Sequence, residues 1–343
     1  MNDTPRVAVV IAARDAAPTL ARTLACLRAQ DLGQPFEVTV VDDGSRDETA
    51  TLARQHEPFV RLIRNDHSQG PGSARNAGAR ASRAPVLAFT DADCFPRPNW
   101  LASGLRHIAN APLVQGRVDP DPQCRRMPFD RSLSVSSDGG FYQTANLFVR
   151  RQLFDAVGGF WDWALERPGR RRWSVDYRRG RAMRTPIGED TVFAWKARRL
   201  GALSAFADDA VVYHAVVPGT LRHALADRWH WTRDMPGLAR LVPELRDGTF
   251  WRRWFFSSRT ARFDLALVGL SASALTRQRL LLAGALPYLR DVRHEAMLYW
   301  RGRDAPLSSL QQMATFVLGA PAVDGATLVG LIAGSVAWRS LVL

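Results

Sequence analysis

The chain predicts an α/β fold followed by a C-terminal helical appendage, and three observations carry that expectation. Apolar runs in the first hundred residues end abruptly in carboxylates. Helical patterns of spaced leucines or alanines separate those runs. Beyond His214 the character changes to helical stretches rich in tryptophan and arginine. Alternating strand and helix patterns are the signature of a layered α/β sheet.

The elements follow in order. Arg6 to Ala13 reads as a first buried strand, leading through Arg14-Asp15 to a helix patterned on Leu20, Leu24 and Leu27. Phe36 to Val41 reads as a second strand and stops at Asp42-Asp43-Gly44-Ser45. Ser45-Arg46-Asp47-Glu48 has the form of a capping box and predicts a helix start there. Val86 to Thr90 is a further buried strand that ends in Asp91-Ala92-Asp93. In open α/β sheets, ligands bind outside the carboxyl ends of the strands. Carboxylates crowded at one such edge repel one another unless a cation or ligand donors balance them. Hard cations take oxygen ligands, and Mg²⁺ is usually held by one or two carboxylates plus substrate phosphates. Asp-x-Asp at a strand end is therefore a clamp suited to a metal–diphosphate.

Gly70-Pro71-Gly72 does not make a dinucleotide fingerprint. The third glycine is required three residues after the second, where Arg75 stands. The first strand also runs into Ala12-Ala13-Arg14-Asp15 without a glycine. Hydride chemistry on a nicotinamide is thereby disfavoured.

Eight blocks occur in one order between residues 1 and 215. They are Val9 to Asp15, Val40 to Ser45, Gly70 to Gly78, Ala88 to Asp93, Thr144 to Arg151, Val157 to Phe160, Gly188 to Asp190 and Val212 to His214. Together they resemble the nucleotide-sugar half of the family 2 glycosyltransferases, which have the GT-A fold, a Rossmann-like mixed sheet flanked by helices. The resemblance implies an inverting transfer from a nucleoside diphosphate-sugar to an acceptor hydroxyl, with Mn²⁺ or Mg²⁺ as cofactor. It implies that Asp15 and Asp43 contact the base and ribose, with Arg14 and Asp42 beside them. Arg75 would lie near the donor, and Asp91 would hold the ribose or sugar. Asp93 would ligate the metal, with His214 as a further metal or phosphate contact. Asp190 would be the general base, with Glu189 beside it. Asn146, Arg184 and Trp229 are the expected acceptor contacts. Where the family usually has a proline and an aromatic residue, this chain has Ala12 and Arg14, so the nucleotide base stays open.

The expected boundaries are a glycosyltransferase domain over residues 1–250, divided near 120 into donor and acceptor halves, and a helical region over 251–343. Of 46 basic residues only Lys196 is a lysine, and the net charge is +13. The excess lies beyond residue 120, with eight arginines between Arg167 and Arg184 against Asp176. Such a stretch suits a phosphate-bearing acceptor or anionic headgroups, and equally a solvated insertion. Trp173 and Tyr177 interleave with those arginines, but no nucleic-acid-binding module surrounds them, so nucleic acid is not an expected partner. Arg228-Trp229 matches the end of the processive members' Gln-x-x-Arg-Trp motif, yet Leu225 stands at the Gln position, which points to single-sugar transfer.

Cys26, Cys94 and Cys124 form no Cys-x-x-Cys pair, which favours a reducing compartment. No signal-peptide pattern precedes the first strand. In the tail, the uncharged run Gly325–Trp338 is 14 residues, short of the ~20 that a spanning helix needs. Its apolar pieces bordered by arginine and tryptophan predict peripheral attachment at the inner face of the cell membrane. Acceptors are then cell-envelope glycans or lipid-linked sugars. A nucleotidyltransferase would also use acidic strand ends and a metal, but no lysine-bearing phosphate loop is present. A catalytically silent scaffold on the same fold is the non-enzymatic alternative, and intact Asp93, Glu189 and Asp190 argue against it.

Overall fold

The computed structural model describes residues 5–161, 188–300 and 306–343. They fall into two compact units. The first comprises residues up to Cys124 and Ser132–Ala215, and the second comprises Arg125–Arg131 and Val216–Leu343.

The first unit is built on a sheet. Its strands are β1 (Val7–Ala13), β2 (Phe36–Asp43), β3 (Val60–Asn65), β4 (Val86–Asp91), β5 (Cys94–Pro96), β6 (Leu113–Pro120), β7 (Asn146–Arg150) and β8 (Ser204–His214). Among the described residues these make one eight-stranded sheet in the order β3-β2-β1-β4-β7-β6-β8-β5. β3, β2, β1 and β4 run parallel, whereas β7 is antiparallel to both β4 and β6. The sheet is mixed, as the GT-A expectation requires.

Alternation explains why β1 is apolar throughout. Successive side chains point to opposite faces. Val7, Val9 and Ile11 enter the core that holds Leu20, Leu24 and Leu27, while Ala8 and Val10 enter the core of Leu87, Phe89 and Phe193. The first core is covered by α1 (Ala17–Arg28). On the other face, α3 (Pro71–Arg80) lies so close that a Cβ at Gly78 would stand 2.5 Å from Val10 Cγ1. Helices on both faces make a parallel sheet stable, because neither face meets water.

The helix expected at Ser45 begins later, as α2 (Thr49–Arg54). Ser45 is diverted from capping. Its hydroxyl accepts the Asp15 N–H at 2.9 Å and so ties the end of β1 to the end of β2. Asp47 takes over the local turn, accepting from Thr49 N–H at 3.0 Å and from Ala17 N–H at 3.1 Å.

The second unit is helical: α7 (Leu221–Leu241), α8 (Leu245–Gly248), α9 (Ser258–Thr276), a 3₁₀ segment (Arg279–Ala285), α10 (Leu286–Trp300) and α11 (Pro306–Trp338). The boundary lies at 215/216 rather than near 250, and residues 125–131 belong to it too. The reason is packing. Thr232, Met235, Leu238 and Ala239 of α7 are buried. Trp338 of α11 covers Gly237, where a Cβ would meet its ring at 2.5 Å. Arg131 pairs with Val217 through backbone bonds of 2.9 Å, which draws the short outlying segment in.

The tail also departs from expectation. α11 is one continuous helix of 33 residues, and Leu310–Trp338 is long and apolar enough to cross a membrane. The single acid Asp324 hid this in the sequence by cutting the uncharged run short.

Candidate active site

The carboxyl ends of the parallel strands gather the acidic residues. Strand register sets Ala13 beside Asp42 and Ala12 beside Asp91. Two more elements complete the group. α6 (Glu189–Arg199) starts directly with Glu189 and Asp190, after Gly188 at φ +89°. A positive φ of that kind suits glycine and turns the chain into the helix. α3 contributes Arg75.

Arg75 is the centre of the charges. Its side chain is buried and donates to Asp91 at 2.7 Å and to Glu189 at 2.9 Å. Its Nε finds no hydrogen-bond partner among the described residues. Burial opposes its charge, but the neighbouring carboxylates Asp91, Glu189 and Asp190 raise its basicity further. One guanidinium thus faces several acids in a poorly solvated place.

The acids respond accordingly. Asp190 is pushed up to about 7, first by burial and then by the neighbouring Glu189 carboxylate. Its oxygens accept from Thr191 N–H at 2.8 Å and Thr144 N–H at 3.3 Å, which orient it. Glu189 is raised by burial, against the pull of Arg75. Asp93 is raised by burial and by Asp91, with His214 opposing.

Asp93 and His214 meet because β5 pairs antiparallel with β8, setting Cys94 opposite His214. His214 Nδ1 lies 2.8 Å from the Ala215 carbonyl. A carbonyl only accepts, so Nδ1 carries a proton. The other nitrogen, Nε2, faces an Asp93 oxygen at 3.6 Å. In the neutral ring it presents a lone pair towards an anion, an arrangement that a cation resolves. Fixing Nδ1–H on a backbone carbonyl is how metal-ligating histidines are commonly oriented. Asp93, Cys94 and His214 have their ligand atoms within 4.8 Å of one another. An oxygen and a nitrogen donor beside further acids fit a divalent cation. Cys94 fits less well, since it is fully buried and its thiol is pushed well up by that burial. Its place in this group was not anticipated, although it adjoins Asp93 in the sequence.

Other expected site residues stand differently. Asp15 is exposed at φ +49°, and its carboxylate accepts the Arg46 N–H at 2.8 Å. Arg14 is half-buried beside it. Asp42 is fully buried, accepts from Ser45 N–H at 3.0 Å and has Arg64 at 3.4 Å. Asp43 is occupied by the protein. It accepts from Asn65 Nδ2, Ser68 Oγ, Gln69 N–H and Gly70 N–H, at 2.7 to 2.9 Å. Its carboxylate therefore shapes the loop that leads into α3.

Asn146 requires a correction. It is fully buried, and its amide bridges strands and helix instead of facing an acceptor. Nδ2 donates to the carbonyls of Arg117 and Ala210, and Oδ1 accepts from Trp100 Nε1, all at 2.7 to 2.8 Å. Trp229 lies half-buried on α7 of the helical unit, with Arg233 at 5.9 Å from its ring. Arg184 and the arginine-rich stretch around it lie outside the described residues.

Residues 8–161 match the family model for glycosyl transferase family 2. The glycosyltransferase AglE of Haloferax volcanii is 32% identical over 170 residues, covering 46% of this chain and 56% of that protein. The succinoglycan biosynthesis protein ExoO of Rhizobium meliloti is 43% identical over 120 residues, covering 35% and 34%. The chain therefore spans about half the length of one relative and a third of the other. Among solved structures, the mannosyltransferase PcManGT from Pyrobaculum calidifontis, in complex with GDP-Man and Mn²⁺, aligns with a TM-score of 0.55 at 19% identity, over 94% of this chain and 87% of that one. S. aureus TarS 1–349 in complex with UDP-GlcNAc aligns with a TM-score of 0.50 at 17% identity, over 95% and 92%. At such identities the likeness establishes the fold, which is GT-A.

Proposed function

We propose, from the match of residues 8–161 to glycosyl transferase family 2, that this chain moves one sugar from a nucleoside diphosphate-sugar to an acceptor hydroxyl with inversion. The observation that carries the reading is Asp190. It is a carboxylate raised to about 7 and held by two backbone N–H groups, within one charge cluster at the carboxyl ends of the sheet. A general base works best with a pKa near the operating pH. Asp190 accepts the acceptor's proton as the hydroxyl attacks the anomeric carbon, and the bond to the diphosphate breaks on the opposite side.

Asp93 and His214 are the residues that hold the divalent cation, Mn²⁺ or Mg²⁺. When bound, that cation supplies positive charge for the leaving diphosphate. Arg75 keeps Asp91 and Glu189 in place beside the donor. Asp15, with Arg14 beside it, takes the nucleotide end. Asp42 and Asp43 act by holding the loops around it. Arg184 and Trp229 are assigned to the acceptor, a cell-envelope glycan or lipid-linked sugar. The work is done on the cytoplasmic side, at the inner face of the cell membrane.

Melting of the full chain with nucleoside diphosphates and their sugars, in Mn²⁺ or in EDTA, tests the reading. Guanosine and uridine donors come first, since the structural neighbours hold GDP-Man and UDP-GlcNAc. A ligand bound only by the native state raises Tm. The expected result is a rise with one nucleotide class that requires metal and disappears in Asp93→Ala. No rise with any donor in the presence of metal would favour the scaffold instead. A rise with nucleoside triphosphates alone would favour nucleotidyl transfer.

A further inference from the structure

The helical unit has an apolar core of Phe263, Ala266, Tyr288, Val292, Phe316 and Ala320, yet it also shows a large apolar surface outward and keeps one acid inside. Arg259, partly buried, donates to both oxygens of Asp324 at 2.7 to 3.1 Å and pairs with the more exposed Glu295 at 2.6 Å. The Tyr288 hydroxyl adds a bond to Asp324 at 2.7 Å. Asp324, the charge that interrupts α11, is thus buried and fully partnered. Small residues also point inward. Gly269 of α9 and Gly284 of the 3₁₀ segment meet almost backbone to backbone, since a Cβ at Gly284 would lie 3.6 Å from Gly269 Cα. Gly330 and Gly334 of α11 let α7 approach in the same way, against Thr232 and Arg233.

Outside are the leucines. Leu275, Leu280 and Leu318 are 85%, 90% and 80% exposed, and Val268 and Val336 are 65% and 76%. A water-soluble helix turns its apolar stripe inward and its charges outward. Here the α9–3₁₀ hairpin and α11 turn apolar residues inward, as at Phe263, Ala266, Phe316 and Ala320, and outward as well. Helices that pack through small residues, keep a mid-helix acid such as Asp324 paired and buried, and show leucine outward are suited to hydrocarbon. Exposed arginines stand at element ends, Arg277 and Arg279 at the turn of the hairpin and Arg339 just after α11. They complement anionic lipid phosphates. Trp251 and Trp254 are also exposed, as aromatic residues are at a membrane–water interface. α11 supplies the length, since Leu310–Trp338 extends roughly 43 Å at helical rise, more than a hydrocarbon core of about 30 Å.

We propose that this unit is embedded in a lipid bilayer, with the outward faces of the α9–3₁₀ hairpin and α11 in contact with acyl chains. This goes beyond placement at a membrane surface, and it does not depend on the transfer reaction.

The test uses the full chain expressed in cells. Membranes are washed with high salt and then with alkaline carbonate, and finally extracted with a non-ionic detergent. The chain should resist both washes and leave only with detergent. Purified protein should float with vesicles of mixed neutral and anionic phospholipid. The triple variant Leu275→Glu, Leu280→Glu, Leu318→Glu should float at least tenfold less. In wild type, an acyl-chain photoprobe should label peptides from residues 258–289 and 310–338, which keeps the test independent of how the variant folds. Asp93→Ala should partition like wild type, so a failed donor reading and a failed membrane reading give different results. Release by salt or carbonate into a detergent-free monomer would overturn the proposal. So would a discrete oligomer that excludes the photoprobe from those peptides, because the leucines would then be covered by a second copy of the chain.

Discussion

Replacing Asp190 with asparagine should slow transfer severely and, above neutral pH, make the protein more stable. The wild-type carboxylate rises from its ordinary 3.8 to about 7 because burial and Glu189 disfavour its charge. In the unfolded chain it ionises near 3.8, so between these values the native state binds the extra proton. Stability therefore falls as pH rises through that window. At about 1.4 kcal/mol for each pH unit, the loss is on the order of 4 kcal/mol by pH 8. Asparagine has no charge to bury, but it keeps only one oxygen for the two N–H donors of Thr144 and Thr191, at a cost of about 1 kcal/mol. Asp190→Asn should thus gain roughly 3 kcal/mol at pH 8 and lose about 1 kcal/mol near pH 4, with the two stabilities crossing between. The assay is urea unfolding in EDTA from pH 4 to pH 8.5, so that no cation offsets the acids. Transfer activity should fall by about 10²- to 10⁴-fold. A variant no more stable than wild type at pH 8 would refute the buried, charge-crowded picture of Asp190.

Three further outcomes follow from the same geometry. Arg75→Met leaves Asp91 and Glu189 facing each other without their guanidinium, and should cost about 3–5 kcal/mol in urea unfolding; adding Glu189→Gln should recover part of that loss, which a double-mutant cycle would reveal. Asn146→Ala strands the Trp100 indole N–H and two backbone carbonyls, and should cost roughly 3 kcal/mol, while the KM for acceptor measured on folded protein should not change. Asp43→Ala removes the acceptor of four hydrogen bonds and should destabilise by about 2–3 kcal/mol; it should also weaken donor binding by calorimetry, through loss of the loop ahead of α3 rather than of a ligand contact.

Part of this protein was legible from its sequence because the relevant physics is local. The apolar run Val7–Ala13 can only be a strand buried on both faces, and the same holds for Val86 to Thr90. Acids at the ends of such runs are brought to one edge by parallel pairing, whatever the details of packing. Hence the mixed α/β sheet and the grouping of Asp42, Asp91 and Asp93 were accessible from pattern and family likeness. What each side chain does was decided by tertiary structure, because it depends on partners far along the chain. Arg75 meets Glu189 across 114 positions. Asp43 spends its oxygens on a loop more than 20 residues away, and Asn146 is consumed by Trp100, Arg117 and Ala210. His214 faces Asp93 only through the antiparallel register of β5 and β8. Likewise the length of α11 was masked by Asp324 until Arg259, 65 residues earlier, was seen to neutralise it. Hydropathy along a chain records which residues avoid water, but not which charges are paired, and only the folded structure pairs them.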